Sequence, residues 1–170
     1  MEAAIALGGN LGDSRRALDQ ALDRIAVRIG PILAASGWIE TPALVHPDDP
    51  VREHPSYLNG VVVAATELPA EEILARLLEI ERALGRVRDP EALPWQPRVI
   101  DLDLILLGEE VVDLPGLTLP HPRMHERDFV LGPLARVRPD WRHPVLGQTV
   151  ASLLTRLSAG DGADDNMTGS

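Results

Sequence analysis

The chain opens on a short apolar run, Ala3 to Leu7, that gives way to Gly8, Gly9 and Asn10. That pattern predicts a strand over Glu2 to Leu7 and then a tight turn. Asp13 or Ser14 can cap the helix that follows, in which Leu18, Leu22, Ile25 and Ile29 recur at helical spacing until Pro31 breaks it. Ile32 to Thr41 reads as a second strand. Pro42 through Pro55 is rich in prolines and acids, carries His46 and His54, and reads as a long loop. A third strand runs from Tyr57 to Thr66 around Val61, Val62 and Val63. The second helix starts after Pro69 and places Glu71 and Glu72 where the helix dipole favours acids. It continues through Ile73, Leu74, Leu77, Leu78 and Leu84 to a C-cap at Gly85.

Arg86 to Pro97 is a second charged, proline-containing loop, and the segment from Arg98 to Leu107 reads as a buried strand. Gly108 and Glu109 turn into a short strand around Val111 and Val112. Leu119 to Arg127 is irregular, Phe129 to Leu134 leads into a short helical turn, and Val150 to Leu157 forms a terminal amphipathic helix. Ser158 to Ser170 is small, polar and acidic, so one domain is expected over residues 1–157 with a disordered tail over 158–170. The order strand, helix, strand, strand, helix, strand is the split βαβ pattern. It predicts an α+β protein, a ferredoxin-like α/β sandwich whose helices cover one face of a mainly antiparallel sheet.

Composition narrows the function. With 170 residues and 45% hydrophobic content the chain can bury one sizeable core but not two. Its net charge of -10 disfavours non-specific binding to nucleic acid or an anionic membrane. A phosphate-bearing ligand must therefore be met by local arginines or by metal ions. The absence of cysteine excludes disulfides, thiolate nucleophiles and cysteine-ligated metals. No basic stretch and no long apolar core precede or follow Ala3 to Leu7, so a cytoplasmic protein without signal peptide or membrane span is expected.

The most informative residues lie within Arg98 to Leu107. Side chains alternate across a strand, so Asp101 and Asp103 share one face, roughly 7 Å apart at Cα. Leu102, Leu104 and Leu106 are expected on the other. Two acids on the wet face of a half-solvated strand would be unremarked by themselves. Here Arg86, Arg88, Arg98, Arg123 and Arg127 crowd the flanking segments, and planar guanidinium groups suit phosphate oxygens. The pair therefore reads as a magnesium platform. His121 and His125 form no convincing zinc set, and His46 and His54 read as bystanders. Gly8 to Gly12 lacks the lysine and hydroxyl of a phosphate loop and reads as a plain turn. Tyr57 and Asn59 share a strand face, one offering a ring and the other an amide. In a chain with 3% aromatics, Tyr57, Trp95 and Phe129 beside these segments suggest a pocket for a planar ligand.

Taken together, Leu7-Gly-Gly-Asn-Leu-Gly-Asp13, Tyr57-Leu-Asn59, Gly85-Arg-Val-Arg88, Trp95-Gln-Pro-Arg-Val-Ile-Asp-Leu-Asp103 and Pro120-His-Pro-Arg-Met-His-Glu-Arg-Asp-Phe129 resemble the 6-hydroxymethyl-7,8-dihydropterin pyrophosphokinases of folate biosynthesis. The resemblance spans Ala4 to about Leu154. It implies transfer of pyrophosphate from ATP to the pterin hydroxymethyl group, with two Mg²⁺ ions held by Asp101 and Asp103. Carried over by position, the pterin site falls on Thr41, Pro42, Leu44, Tyr57, Asn59, Trp95 and Phe129, the ring lying between Tyr57 and Phe129. The ATP contacts fall on Glu81, Arg86, Arg88, Trp95, Arg98, Leu104, Thr118, His121 and Arg127, with Arg86 and Arg88 also catalytic. Gly9 stands where the family commonly has serine, and Leu78 and Asp89 where some members have glutamine and lysine.

The expected partners are small molecules only, acting on a monomer. Such chemistry rests on in-line approach of the alcohol to the β-phosphorus and on electrostatic stabilisation. The residues leave the general base open between Asp101 and a metal-bound hydroxide. Two other readings compete. One is a Mg-dependent nucleotidyl or phosphoryl transferase with another acceptor; the other is a ferredoxin-like regulatory module that binds a small metabolite without catalysis.

Overall fold

The computed structural model describes residues 1–9, 14–41, 47–48, 57–85 and 100–168. Strand β1 (Glu2–Gly9) leads to helix α1 (Ser14–Arg28), whose Leu18, Ile25 and, just beyond it, Ile29 are buried as their spacing predicts, while Leu22 is only partly buried and Ala21 beside it is fully covered. The expected second strand is broken in two, β2 (Ile32–Ala35) and β3 (Ile39–Thr41). Gly37 sits at the break with φ 78°, a left-handed conformation that favours glycine. Ser36 bridges the gap, its N–H donating to Val61 O at 3.0 Å and its Oγ accepting from Val61 N at 2.9 Å. Both short strands therefore pair with β4 (Tyr57–Ala65). Helix α2 (Ala70–Ala83) follows Pro69, and β5 (Asp101–Leu107) completes the sheet.

With β3 continuing beside β4, the sheet order is β2-β4-β1-β5 and every neighbouring pair is antiparallel. This is the expected ferredoxin-like arrangement. The prediction that helices cover a single face is corrected. Ile5, Leu7, Val62, Leu102 and Leu104 pack beneath α1 and α2. On the opposite face Ala4, Val61, Ile105 and Leu106 pack with residues of α3 (Asp128–Val137) and α4 (Val150–Thr168). The apolar positions that the sequence assigned to a brief turn, Val130, Leu131 and Leu134, are buried in a ten-residue helix that accommodates Pro133. α4 runs past Leu157, although the residues it packs against this second core, Val150, Leu153, Leu154 and Leu157, lie in its first half.

A bulge in β5 settles a second difference. Ile5 pairs with Leu104 and Ala4 with Leu106, leaving Ile105 as an extra residue. The alternation slips by one. Leu106 thereby joins the face of the aspartates, and Leu107 takes the place expected for it among the residues under α1 and α2. A small hairpin, β6 (Val112–Leu114) with β7 (Leu117–Leu119), lies against β5, and a 3-10 helix (Met124–Glu126) precedes α3. The three-residue β7 is absent from the sequence prediction.

His143 gives the C-terminal part of the fold a pH dependence. Its buried Nδ1 accepts the backbone N–H of Val145 at 3.2 Å and of Leu146 at 3.0 Å, so the neutral ring carries its proton on Nε2. Burial, reinforced by the nearby His125 ring 6.2 Å away, lowers its pKa below the ordinary 6.5. A base whose folded pKa is depressed is protonated first in the unfolded chain, so stability falls as pH drops below about 6.5 and levels off once the folded pKa is passed. The melting temperature should decline over that interval. In His143→Asn, which cannot titrate, this part of the decline should disappear; an unchanged pH profile would show that His143 does not set it.

Candidate active site

Three adjacent strands bring the expected residues into one row. Gly8 on β1 pairs with Asn59 on β4 and with Asp101 on β5. Residues directly opposite one another project to the same face. Asn59 and Asp101 therefore flank Gly8, two strand spacings or roughly 10 Å apart at Cα. The next row holds Val61, Ala6 and Asp103 in the same order. Val61 is buried against the side that α3 covers, which identifies the shared face. Both aspartates are half-buried there, as their alternation predicts.

On the β4 side, Asn59 Nδ2 donates to Thr41 Oγ1 at 2.8 Å, which fixes the amide with Oδ1 over Gly8. Tyr57 lies two residues away on the same face, and its Cδ1 also approaches the space above Gly8. Phe129, half-buried in the first turn of α3, packs against the apolar cluster of that face, and the Arg127 guanidinium stands 5.7 Å from its ring centroid. That distance allows a cation–π contact. Thr41, Tyr57 and Asn59 thus meet on adjacent strands, and Phe129 lies on the helix that covers the same face of the sheet.

On the β5 side, a cavity of about 280 Å³ opens at the sheet edge, lined by Leu74, Asp103, Leu104, Thr118 and His121 among others. Three of the expected nucleotide contacts, Leu104, Thr118 and His121, converge here beside one of the acids. His121 is tied to β5 by its backbone N–H, which donates to Ile105 O at 2.9 Å. Its Nδ1 accepts from Arg123 N at 3.2 Å, leaving Nε2–H as the donor on the other side of the ring. Burial above all, then the charge of Arg127, lowers the His121 pKa, with Asp101 pulling the other way. The imidazole is accordingly neutral at neutral pH. Arg123 itself is exposed and pairs with Glu126 at 3.3 Å.

Glu81 plays a different part from a surface contact. It is buried at 2% exposure on α2, and its Oε2 accepts the Leu102 N–H at 2.7 Å. Leu102 lies between the two aspartates on an edge strand, where an outward N–H has no neighbouring strand to bond. The carboxylate caps that edge and holds the acid-bearing segment in place. Leu104 likewise belongs mainly to the core beneath α1 and α2, reaching the cavity only at its rim.

Asp101 and Asp103 suit Mg²⁺ by their chemistry. They supply hard anionic oxygens, and among the described residues no third His, Asp or Glu joins them in a metal-holding cluster. Mg²⁺ commonly takes one or two carboxylates and fills its octahedron with water and substrate phosphates. Of the other expected positions, Pro42, Leu44, Arg86, Arg88, Trp95 and Arg98 lie outside the described residues, as do most of the Pro42 to Pro55 loop and the Arg86 to Pro97 loop. The sequence reading missed Gly8 as a member of the row. It ended β1 at Leu7, two residues short, and so assigned the glycine to a turn. Extending the strand to Gly9 would have put Gly8 within β1, while its place opposite Asn59 is set by the register with β4.

The sequence profile of the 7,8-dihydro-6-hydroxymethylpterin-pyrophosphokinase (HPPK) family matches residues 4–139. The chain is 37% identical over 156 residues to a 2-amino-4-hydroxy-6-hydroxymethyldihydropteridine pyrophosphokinase of Synechocystis sp., covering 91% of this chain and 75% of that protein. It is 40% identical over 140 residues to the protein of the same description from Pseudomonas aeruginosa, covering 82% of each. Among solved structures, Plasmodium falciparum HPPK-DHPS wild type with STZ-DHP superposes with a TM-score of 0.72 at 14% identity, over 98% of this chain and 45% of that one. At that identity the likeness concerns the fold, and this chain spans less than half of the solved one.

Proposed function

The chain belongs to the 7,8-dihydro-6-hydroxymethylpterin-pyrophosphokinase family, and on that premise we propose that it transfers the pyrophosphoryl group of ATP to the hydroxymethyl group of 6-hydroxymethyl-7,8-dihydropterin, a step of folate biosynthesis. The alcohol O–H bond breaks with release of its proton, the oxygen forms a bond to the β-phosphorus, the bond from that phosphorus to the α–β bridging oxygen breaks, and AMP leaves. The observation that carries the reading is the row Asn59, Gly8, Asp101: an amide fit to recognise a heterocycle and a carboxylate fit to hold a metal, on one face of one sheet.

Asn59, oriented by Thr41, recognises the polar edge of the pterin, while Tyr57 and Phe129 bound its faces; Pro42, Leu44 and Trp95 complete this side. On the nucleotide side, Leu104 and Thr118 line the cavity for ATP, His121 donates Nε2–H to a phosphate oxygen, and Arg127 adds positive charge beside it. Glu81 supports this side from behind β5. Arg86, Arg88 and Arg98 supply further guanidinium groups to the triphosphate, and Arg86 and Arg88 stabilise the charge that develops during transfer. Asp101 and Asp103 would hold two Mg²⁺ ions, whose charge would offset that of the triphosphate. Because His121 Nδ1 already accepts the Arg123 N–H, the neutral ring has its Nε2–H fixed as the donor to the phosphate oxygen. We further propose that the protein works as a cytoplasmic monomer, with residues 1–157 as the catalytic domain and 158–170 as a tail outside it. Analytical ultracentrifugation should show a species of one chain's mass.

The deciding experiment supplies ATP, Mg²⁺ and the pterin and identifies the nucleotide product. AMP is expected. ADP would indicate a simple kinase and free pyrophosphate a nucleotidyltransferase, while no turnover would favour a metabolite-binding module. Tyr57→Ala and Asn59→Ala are each expected to weaken pterin binding by roughly 1–2 kcal/mol, the scale of a lost stacking contact or hydrogen bond. ATP binding should change far less. Calorimetric titration of both ligands checks this, and equal losses for the two would mean that these side chains serve the fold.

A further inference from the structure

We propose that Gly8 is a positioning residue for Asn59, so that the missing Cβ of one strand residue sets how the acceptor heterocycle is recognised. This rests on the pterin reading of the Asn59 side. A Cβ built on Gly8 would lie 3.0 Å from Asn59 Oδ1, 3.4 Å from Leu58 O and 3.7 Å from Tyr57 Cδ1. The first distance is tighter than side chains ordinarily tolerate, and the groups around it leave little room to yield. Leu58 O belongs to the backbone of β4. The Asn59 amide is held from behind by its 2.8 Å bond to Thr41 Oγ1, so yielding to a Cβ on Gly8 would strain that bond and shift the amide. Gly8 is itself buried and paired on both sides, to Asn59 and to Asp101, which prevents β1 from shifting to relieve the contact.

The backbone at Gly8 is ordinary extended strand, outside the left-handed conformations in this chain, so an L-residue is at ease there. What glycine supplies is space. The Asn59 amide occupies the volume where a side chain on β1 would stand, with Oδ1 turned toward the middle of the row that ends at Asp101. A methyl group at Gly8 would push that oxygen off its position and press on Tyr57, the two groups assigned to the heterocycle. It would leave His121, Thr118 and Leu104 at the β5 edge untouched.

The test compares wild type with Gly8→Ala in three measurements: fluorescence titration with 6-hydroxymethylpterin, titration with a non-hydrolysable ATP analogue and Mg²⁺, and thermal unfolding followed by circular dichroism. The expected result is a loss of pterin affinity of about tenfold or more, with analogue affinity within about twofold of wild type and the fold retained, in line with displacing one hydrogen-bonding group and one ring. Pterin affinity within about twofold of wild type would overturn the assignment. So would a parallel loss for both ligands, or a variant that fails to fold, since either would show that Gly8 serves packing. AMP release by wild type is assayed separately. Wild-type protein that binds the pterin but releases no AMP would refute the proposed reaction while the Gly8 comparison still stands; wild-type protein that does not bind the pterin would refute both.

Discussion

Replacing Asp101 or Asp103 with alanine is expected to lower kcat/KM by about a thousandfold or more, which is about 4 kcal/mol of transition-state stabilisation, while the protein remains folded. The two expectations come from the same geometry. Both side chains are half-buried and neither belongs to an apolar cluster, whereas Leu102 and Leu104 anchor the strand from its other face. Truncation therefore removes a carboxylate without opening a cavity in the core. Loss of a charge that aligns and neutralises the triphosphate is felt mainly in the transition state. Steady-state AMP release and circular dichroism should be measured on the same samples. Near-normal turnover by either folded variant at saturating Mg²⁺ would remove these acids from the metal site.

Gly60→Ala is expected to be the more damaging change to the fold, at about 3 kcal/mol, the upper end of the range for overpacking a tight site. A Cβ there would stand 2.5 Å from Trp38 Cε3 and 2.6 Å from Gly37 O. Neither is the loose end of a flexible side chain. Trp38 lies in the segment that joins β2 to β3, and its ring covers Gly60 so that β3 can continue along β4. Pushing the indole out would unseat β3, which carries the Thr41 hydroxyl that orients Asn59. The variant should therefore melt roughly 6–12 °C lower and lose pterin affinity as well. A melting temperature within about 2 °C of wild type would show that the Trp38 segment has more freedom than its contacts indicate.

The parts of this fold that follow from periodicity were legible in advance, and the parts that follow from packing were not. Leu18, Ile25, Ile73 and Leu77 announce α1 and α2 because a 3.6-residue repeat of apolar side chains admits only one face. α3 was foreshortened because Gly132 and Pro133 read locally as breakers, while the burial of Val130, Leu131 and Leu134 on either side of them holds the helix together. Likewise β7 is three residues long, too short to show an alternation, and exists by pairing with β6. At the site, alternation alone put Asp101 and Asp103 on one face, and Tyr57 with Asn59. That these two pairs share a face depends on register across β1, which no local pattern encodes. The capping of Leu102 by Glu81 was equally hidden, since a glutamate in a helix carries no mark of the strand edge it will meet.

The extra residue in β5 bears on any attempt to tidy this protein. Deleting Ile105 would heal the ladder, because Leu104 and Leu106 would then face Ile5 and Ala4 consecutively with both flanking registers preserved. A redesign that rewards regular strands would select that deletion. The deletion would also discard the Ile105 carbonyl that receives the His121 N–H, and with it the direct tether between the β5 edge and the segment that carries the His121 imidazole. The irregularity is thus a fastening point, and a shortened strand would yield a more uniform sheet with a looser wall to the cavity beside Asp103.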